Sequence, residues 1–316
     1  MSRQYAHFAW AVLAFTLSVV LWGAYVRATG AGAGCGNHWP LCNGEVLPRS
    51  PGAKTLIEFT HRLTSGLDGI LIALLFIGAW RAFPRRHPVR IGAALSLTFL
   101  GTEALLGAAL VKLEEVAQNA SVGRAWWDSG HLINTLTLLA SLALTAWWAE
   151  RSPQSRVRSR AGWPMWPAIV VVVLTAISGA IAALGDTLFP ASSLVSGFRQ
   201  DFDPAASIFL RLRMFHPFLA VTAAVWLAFY AIRAASRRRG ARPYARALLT
   251  LVSLQIGAGI VNLTLLAPVW MQLVHLLLAD LVWISLVLLA AYELFPEAGT
   301  RLSGAQPLRS VSEAVR

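Results

Sequence analysis

The chain has 316 residues, of which 56% are hydrophobic and only 13% charged, and its mean hydropathy is +0.58. This composition excludes an ordinary soluble domain and is typical of an integral membrane protein. The formal net charge is +12, but basic loops beside anionic lipid account for it, so we infer no nucleic-acid partner and name the lipid bilayer instead.

Eight apolar segments follow one another, and each reaches the length of about 20 residues that a spanning helix needs. They are predicted at 8–28, 57–80, 91–112, 126–149, 164–185, 207–232, 246–267 and 270–295. The first is expected to be a retained helix, because its apolar stretch is too long for a cleaved signal peptide. The predicted fold class is therefore an all-α integral membrane protein with eight transmembrane helices.

The distribution of Lys and Arg predicts how these helices are oriented. Most of the 27 basic residues fall on one side of the segments, with the densest runs at 85–86 and 237–239. Because basic loops stay inside, we expect a multi-pass protein of the bacterial plasma membrane with both termini in the cytoplasm. The even-numbered segments then run from the outer face inward.

The first outer loop contains the only cysteines, Cys35 and Cys42, with six residues between them. Thiols outside a bacterial plasma membrane are oxidised, so the pair predicts a disulfide. It either holds the loop together or acts as an accessible redox switch.

The second segment begins with Glu58 and His61, which are three residues apart and share one face of a helix. A carboxylate beside a bound metal can orient a ligand, hold a water or take a proton. It can also simply favour the positive end of the helix dipole.

Four histidines lie near the outer ends of the even-numbered segments: His61, His131, His216 and His275. Ionisable side chains are costly at membrane depth, so four at one level indicate a cofactor. Two imidazoles on facing helices of a bundle suit a haem iron. Zinc is less favoured, because no closely spaced Cys/His quartet occurs, and buried packing histidines are the remaining alternative.

The two halves of the chain resemble each other. His61 and His216 are 155 residues apart, His131 and His275 are 144 apart, and 106–111 resembles 256–261. A basic linker at 150–162 separates the halves. We predict two tandem four-helix bundles in parallel repeat, residues 1–150 and residues 151–316.

The residues three positions before the histidines differ between the halves. They are Glu58 and Asp128 in the first half but Arg213 and Gln272 in the second. Carboxylates suit proton-coupled chemistry. We therefore predict the reacting haem in the first bundle and a permanent redox haem in the second.

Two stretches, 30–44 with its Trp-Pro-Leu-Cys run and 56–66 with Ile-Glu-Phe-Thr-His-Arg, resemble the haem A synthase family of the bacterial, cysteine-pair-containing type. The similarity extends through all eight segments. The resemblance implies an oxidoreductase that converts the C8 methyl group of haem O to a formyl group through hydroxylated intermediates, giving haem A for terminal oxidases.

The resemblance also implies a role for each site residue. Substrate haem O lies near His61 and His131, haem b lies between His216 and His275, and Glu58 is the essential acid. The cysteine pair is associated with haem transfer or with electrons from an external reductant. Haem O synthase is the implied substrate donor, and terminal oxidase assembly is the implied acceptor.

Two positions depart from the family pattern. Pro217 stands where Arg is common, and Glu103 stands where Gln is frequent. The proline is expected to disturb the helix about one turn earlier, and this disturbance would change the direction of the His216 side chain.

Other charged residues near the outer ends have open roles. Arg62, Arg211 and Arg213 either contact haem propionates or extend to the interface. Asp68, Glu103 and Asp280 lie deep and are expected to be paired polar groups.

Two other classes of protein would explain part of the pattern. A non-catalytic dihaem electron carrier would explain the histidines but not Glu58 or the cysteine loop. A transporter built of parallel repeats would explain the duplication and the buried acids, and it would bind no haem.

Overall fold

The computed structural model describes residues 2–151 and 164–295, and helices make up most of these residues. The helices are α1 (Ser2–Ala28), α2 (Ala53–Ala82), α3 (Pro88–Lys112), α4 (Val122–Glu150), α5 (Met165–Leu188), α6 (Leu194–Phe202), α7 (Ile208–Arg213), α8 (Phe215–Arg237), α9 (Arg242–Thr264) and α10 (Val269–Leu294). Beyond Arg151 the predicted basic linker lies outside the described residues, as does the segment 296–316.

Among the described residues, eight helical stretches are long and apolar enough to cross a membrane, which confirms the predicted number of spans. The sixth stretch, Ile208–Arg237, combines α7 and α8. It is interrupted at Met214, three residues before Pro217. Because proline has no N–H to donate to the preceding turn, the interruption falls where the sequence predicts a disturbance.

Three of the odd-numbered spans end in the same way at the histidine end of the molecule. Beyond the last turn, a residue in the left-handed region lets the next N–H reach a carbonyl five residues earlier. These residues are Gly30 (φ +62°), Glu114 (φ +57°) and Leu266 (φ +61°), and the bonds run from Ala31 to Val26, from Glu115 to Leu110 and from Ala267 to Asn262.

Two groups of four spans each form a closed circuit of helix contacts, and further contacts run between the groups. In the first, α1 contacts α2 and α4, and α3 contacts the same two helices. In the second, α5 and α9 each contact both α8 and α10. The helices that carry the histidines, α2 with α4 and α8 with α10, are therefore the diagonal pairs of their groups. Contacts of α4 with α5 and α10, and of α1 with α10, join the groups.

The main apolar core lies at the end of the bundle opposite the histidines. It contains the first turns of α1 and the last turns of α4 and α10, with residues such as Ala6, Leu142 and Leu289 fully buried. The Tyr5 hydroxyl donates to the Leu75 carbonyl within it, at 3.0 Å. Close packing is thus concentrated at one end, and the helices at the other end are held by the polar contacts described next.

Candidate functional site

The cysteine loop between α1 and α2 is closed by a disulfide that joins Cys35 to Cys42, as predicted. Both cysteines are buried. The chain reverses through Asn43 (φ +52°) and Gly44 (φ +82°), and the Asn43 N–H donates to the Cys35 carbonyl at 2.9 Å. The disulfide and this turn give the loop a fixed shape over the start of α2.

Glu58 joins this loop to α2. Its side chain is buried, with Oε2 accepting a hydrogen bond from the Cys35 N–H at 2.8 Å and Oε1 accepting one from Arg62 at 2.5 Å. Arg62 also donates to the carbonyls of His38 and Leu41 in the loop. Both oxygens of the buried carboxylate therefore have donors, one of which is charged.

His61 lies one turn after Glu58 and faces helix α1. A Cβ on Gly23 would lie only 2.9 Å from its Cε1 atom, so the ring packs directly on the glycine backbone. The Nδ1 atom of His61 is buried and has no hydrogen-bond partner among the described residues.

His131 on α4 faces α3. Its Nδ1 lies 3.2 Å from Oε1 of Glu103, and a Cβ on Gly107 would lie 3.9 Å from the ring. The contact is a close approach of the carboxylate and not a hydrogen bond, since Nδ1 is buried without a hydrogen-bond partner among the described residues. A carboxylate beside one ring nitrogen of a histidine that binds a metal through the other is nevertheless the usual arrangement.

His216 and His275 come together between α8 and α10. Their ring centroids are 6.4 Å apart, with the planes at 87°. An imidazole nitrogen binds a transition metal at about 2 Å, and the ring centre lies about one ångström further back, so two rings on one ion stand about 6 Å apart. The observed separation therefore suits two imidazoles that approach one iron from opposite sides.

Each histidine of the second group also has a glycine and a polar side chain beside it. The Ser178 hydroxyl lies 3.0 Å from Nδ1 of His216, and a Cβ on Gly179 would lie 2.9 Å from the ring. A Cβ on Gly259 would lie 3.1 Å from the ring of His275. All four histidines are half-buried. A glycine backbone lies beside each, which lets the imidazole ring pack directly against the neighbouring helix.

The arginines proposed as propionate contacts are engaged by the protein. Arg213 on α7 pairs with Asp186 at 2.8 Å and with Asp201 at 2.6 Å, which ties α5 and α6 to α7. Arg211 donates to the carbonyl of Pro204, and Arg62 is held by Glu58 as described. These contacts give each guanidinium a structural role in the loops that border the histidines.

Three further acids, Asp128, Asp68 and Asp280, differ in the partners that their carboxylates have. Asp128 pairs with Arg124 at 3.5 Å, one turn earlier on the same helix. Asp68 accepts a hydrogen bond from the Thr16 hydroxyl at 2.8 Å, which fits the prediction of a paired polar group. Asp280 is buried, and its Oδ2 has no partner in the part of the chain that the structure describes.

The sequence comparison of the halves misses the polar and glycine neighbours of the histidines. It aligns Gly107 with Gly257, whereas the glycine that lies against His275 is Gly259, two residues later. In the shifted register Glu103 corresponds to Gln255, and both precede the contact glycine by four residues. The signal for finding them is this four-residue spacing, but only the packing of the helices reveals which glycine faces a histidine.

Comparison with known proteins places this arrangement in a family. The COX15-CtaA family model, described as cytochrome oxidase assembly protein, matches residues 6–287. A protein of Thermus thermophilus named protoheme IX farnesyltransferase is 47% identical over 289 residues, which is 90% of this chain and 48% of that protein. The chain thus spans about half the length of this relative.

Proteins named heme A synthase also match. Those of Bacillus mycoides and Bacillus cereus are each 50% identical over 95 residues, which is 30% of this chain and 30% of each of those proteins.

Proposed function

The chain belongs to the COX15-CtaA family of cytochrome oxidase assembly proteins, and we propose that it is a haem A synthase. In this proposal it is a membrane oxidoreductase that converts the C8 methyl group of haem O to a formyl group through hydroxylated intermediates. The observation that carries the proposal is Glu58, a buried carboxylate one turn from His61 and held by the disulfide loop. A haem-binding electron carrier has no need of such an acid.

We further propose that the two groups of helices, residues 1–150 and 151–316, are tandem bundles in parallel repeat. Two observations support a common plan. The histidines lie on the diagonal helices of both groups. In addition, α3 and α9 share one register, since the contact glycines and the left-handed terminal residues, Glu114 and Leu266, both differ by 152 positions.

In the first bundle, His61 and His131 hold the substrate haem O, and Glu58 acts at the reacting carbon. Glu58 takes or supplies the proton that an oxidation of a methyl group requires, while Arg62 and the Cys35 N–H keep its two oxygens in place. The disulfide loop covers this end of α2, and we propose that it keeps bulk water away from the reacting group.

In the second bundle, His216 and His275 hold haem b, whose iron supplies one-electron chemistry when bound. The protein's part is to keep the two imidazoles opposed and to orient His216 through the Ser178 hydroxyl. Helices α4 and α10, each of which carries one histidine of its site, contact each other, and this contact supports electron transfer between the two sites.

The site is proposed to lie near the outer face of a bacterial plasma membrane, with both termini in the cytoplasm. The eight described spans and the basic residues at the end away from the histidines support this orientation.

Haem O synthase is the proposed substrate donor, and terminal oxidase assembly is the proposed acceptor. The Thermus relative named protoheme IX farnesyltransferase is about twice as long as the region it shares with this chain. A farnesyl-transferring activity in its remaining half would join substrate supply to the oxidation on one polypeptide. The external electron donor is left open.

The same name makes farnesyl transfer to protohaem the second candidate function of this chain. It predicts a different product, a farnesylated haem that keeps its methyl group. The two functions can therefore be separated by supplying different substrates.

The test is to express the chain in a host without its own haem A, supply either haem O or protohaem with farnesyl diphosphate, and extract the pigments. Haem A synthesis predicts a formyl haem from haem O. Recovery of haem O unchanged, with haem O formed from protohaem, would support the transferase and contradict our proposal.

A further inference from the structure

The two bundles differ at one position that faces a histidine from the neighbouring helix. Glu103 on α3 and Gln255 on α9 each lie four residues before the glycine that contacts the histidine of the next helix. One is a carboxylate and the other a neutral amide. The difference thus affects one histidine in each proposed haem site.

The carboxylate of Glu103 is fixed by three groups on α4. Its Oε1 lies 3.2 Å from Nδ1 of His131 and also accepts from the Thr135 hydroxyl, while its Oε2 accepts from the Asn134 amide at 2.6 Å. Only 18% of its side chain is exposed. A side chain held at both oxygens can fix the orientation of the imidazole that it faces.

Gln255 makes a weaker contact. Its Nε2 lies 3.4 Å from Nε2 of His275, and its Oε1 is buried without a hydrogen-bond partner among the described residues. An amide brings no negative charge to the histidine, so it cannot strengthen the ring as an electron donor in the way that a carboxylate does.

We propose that Glu103 is a positioning residue for His131, and that the replacement of this carboxylate by Gln255 in the second bundle makes the two haem sites unequal. This inference rests on the proposed function, since it assumes that both histidines bind haem iron. A carboxylate at Nδ1 fixes the ring so that Nε2 faces the iron, and its negative charge favours the oxidised iron. The substrate site is thereby held at a lower reduction potential than it would have with an amide.

The test uses variants that separate charge from geometry. Glu103→Gln keeps a side-chain oxygen beside Nδ1 but removes the charge, and Glu103→Ala removes both. Gln255→Glu brings a carboxylate to the corresponding position of the other bundle, where it faces Nε2 of His275 and not Nδ1. Thr135→Val is a milder variant, because it removes one donor that holds the carboxylate but leaves Glu103 itself. Each full-length protein is purified, its haems are separated and quantified, and the midpoint potential of each haem is measured optically.

We expect Glu103→Gln to retain the first-bundle haem with its potential shifted upward and the haem b potential unchanged. Glu103→Ala should lose most of the first-bundle haem, and Thr135→Val should shift its potential by less than Glu103→Gln does, because the carboxylate charge stays. Gln255→Glu should affect haem b alone. An unchanged first-bundle potential in Glu103→Gln would overturn the inference, as would equal shifts in both haems.

The proposed function is tested separately by the unsubstituted protein. If that protein binds no haem, the function and this inference both fail. If it converts haem O to a formyl haem while the variants show no selective shift, only the role of Glu103 is wrong.

Discussion

The backbone N–H of Cys35 donates a hydrogen bond to Oε2 of Glu58 at 2.8 Å, which joins the disulfide loop directly to the proposed catalytic acid. The disulfide therefore does more than close a loop. It fixes the donor that faces one oxygen of the carboxylate, while Arg62 faces the other. This connection explains why a cysteine pair and an acid 23 residues apart occur together.

Replacement of Glu58 by Gln is expected to abolish formyl haem production, by roughly 100-fold or more, because an amide cannot exchange the proton. The haem b spectrum should stay intact, since His216 and His275 lie in the other bundle. Formyl haem production is measured by extraction and analysis of the pigments, and haem b is measured by its optical spectrum. Glu45→Gln is the matched control, because this loop acid pairs with Arg49 at the surface. Activity that survives in Glu58→Gln would contradict the assigned role.

Replacement of both cysteines by Ser is expected to lower stability by about 2 kcal/mol, since the loop gains freedom in the unfolded chain. It should also reduce product formation, because the Cys35 N–H no longer has a fixed position over Glu58. Thermal unfolding in detergent and the product assay measure the two effects. If the double variant loses stability but keeps full activity, the loop is a structural staple alone.

The glycines beside the histidines provide a graded test of haem binding. A Cβ on Gly179 would lie 2.9 Å from His216, whereas one on Gly107 would lie at an ordinary distance of 3.9 Å from His131. Gly179→Ala is therefore expected to displace His216 and deplete haem b, and Gly107→Ala, the control, should retain its haem. Quantified haem per polypeptide is the readout. Equal haem occupancy in the two variants would show that close packing of His216 on Gly179 is not required for haem binding.

Replacement of Arg213 by Ala should destabilise the protein by roughly 1–3 kcal/mol, because it leaves the partly buried carboxylates of Asp186 and Asp201 without their cation. Arg211→Ala is the control, since Arg211 contacts only a loop carbonyl among the hydrogen bonds of the described residues. The two variants are compared by the midpoint temperature of their thermal unfolding. A selective loss of haem with unchanged stability would instead favour a propionate contact.

The sequence predicts the eight spans because hydrophobic length is a local property of the chain. It does not predict where they end: α2 begins at Ala53 rather than at 57, because polar residues continue the helix beyond the apolar stretch. The helix α6 lies between the fifth and sixth predicted segments, where no element is predicted. Its start depends on a serine capping box at Ser193 and Ser196 rather than on apolar periodicity.

Some contacts of the candidate site can likewise be predicted from the sequence, and others cannot. Glu58 and His61 are neighbours on one helix, so their spacing alone brings them together. The contact of Glu103 with His131 depends instead on how α3 and α4 rotate against each other, which tertiary packing decides. The same is true of Gly259, whose place beside His275 differs by two residues from the alignment of the halves.

We propose that the two pairs of histidines hold chemically different haems, and haem analysis of the four single His→Ala variants distinguishes the two sites. His216→Ala and His275→Ala should lose haem b and retain haem O binding, whereas His61→Ala and His131→Ala should retain haem b and fail to bind haem O. Loss of the same haem from all four variants, or a colourless unsubstituted protein, would rule out two separate haem sites.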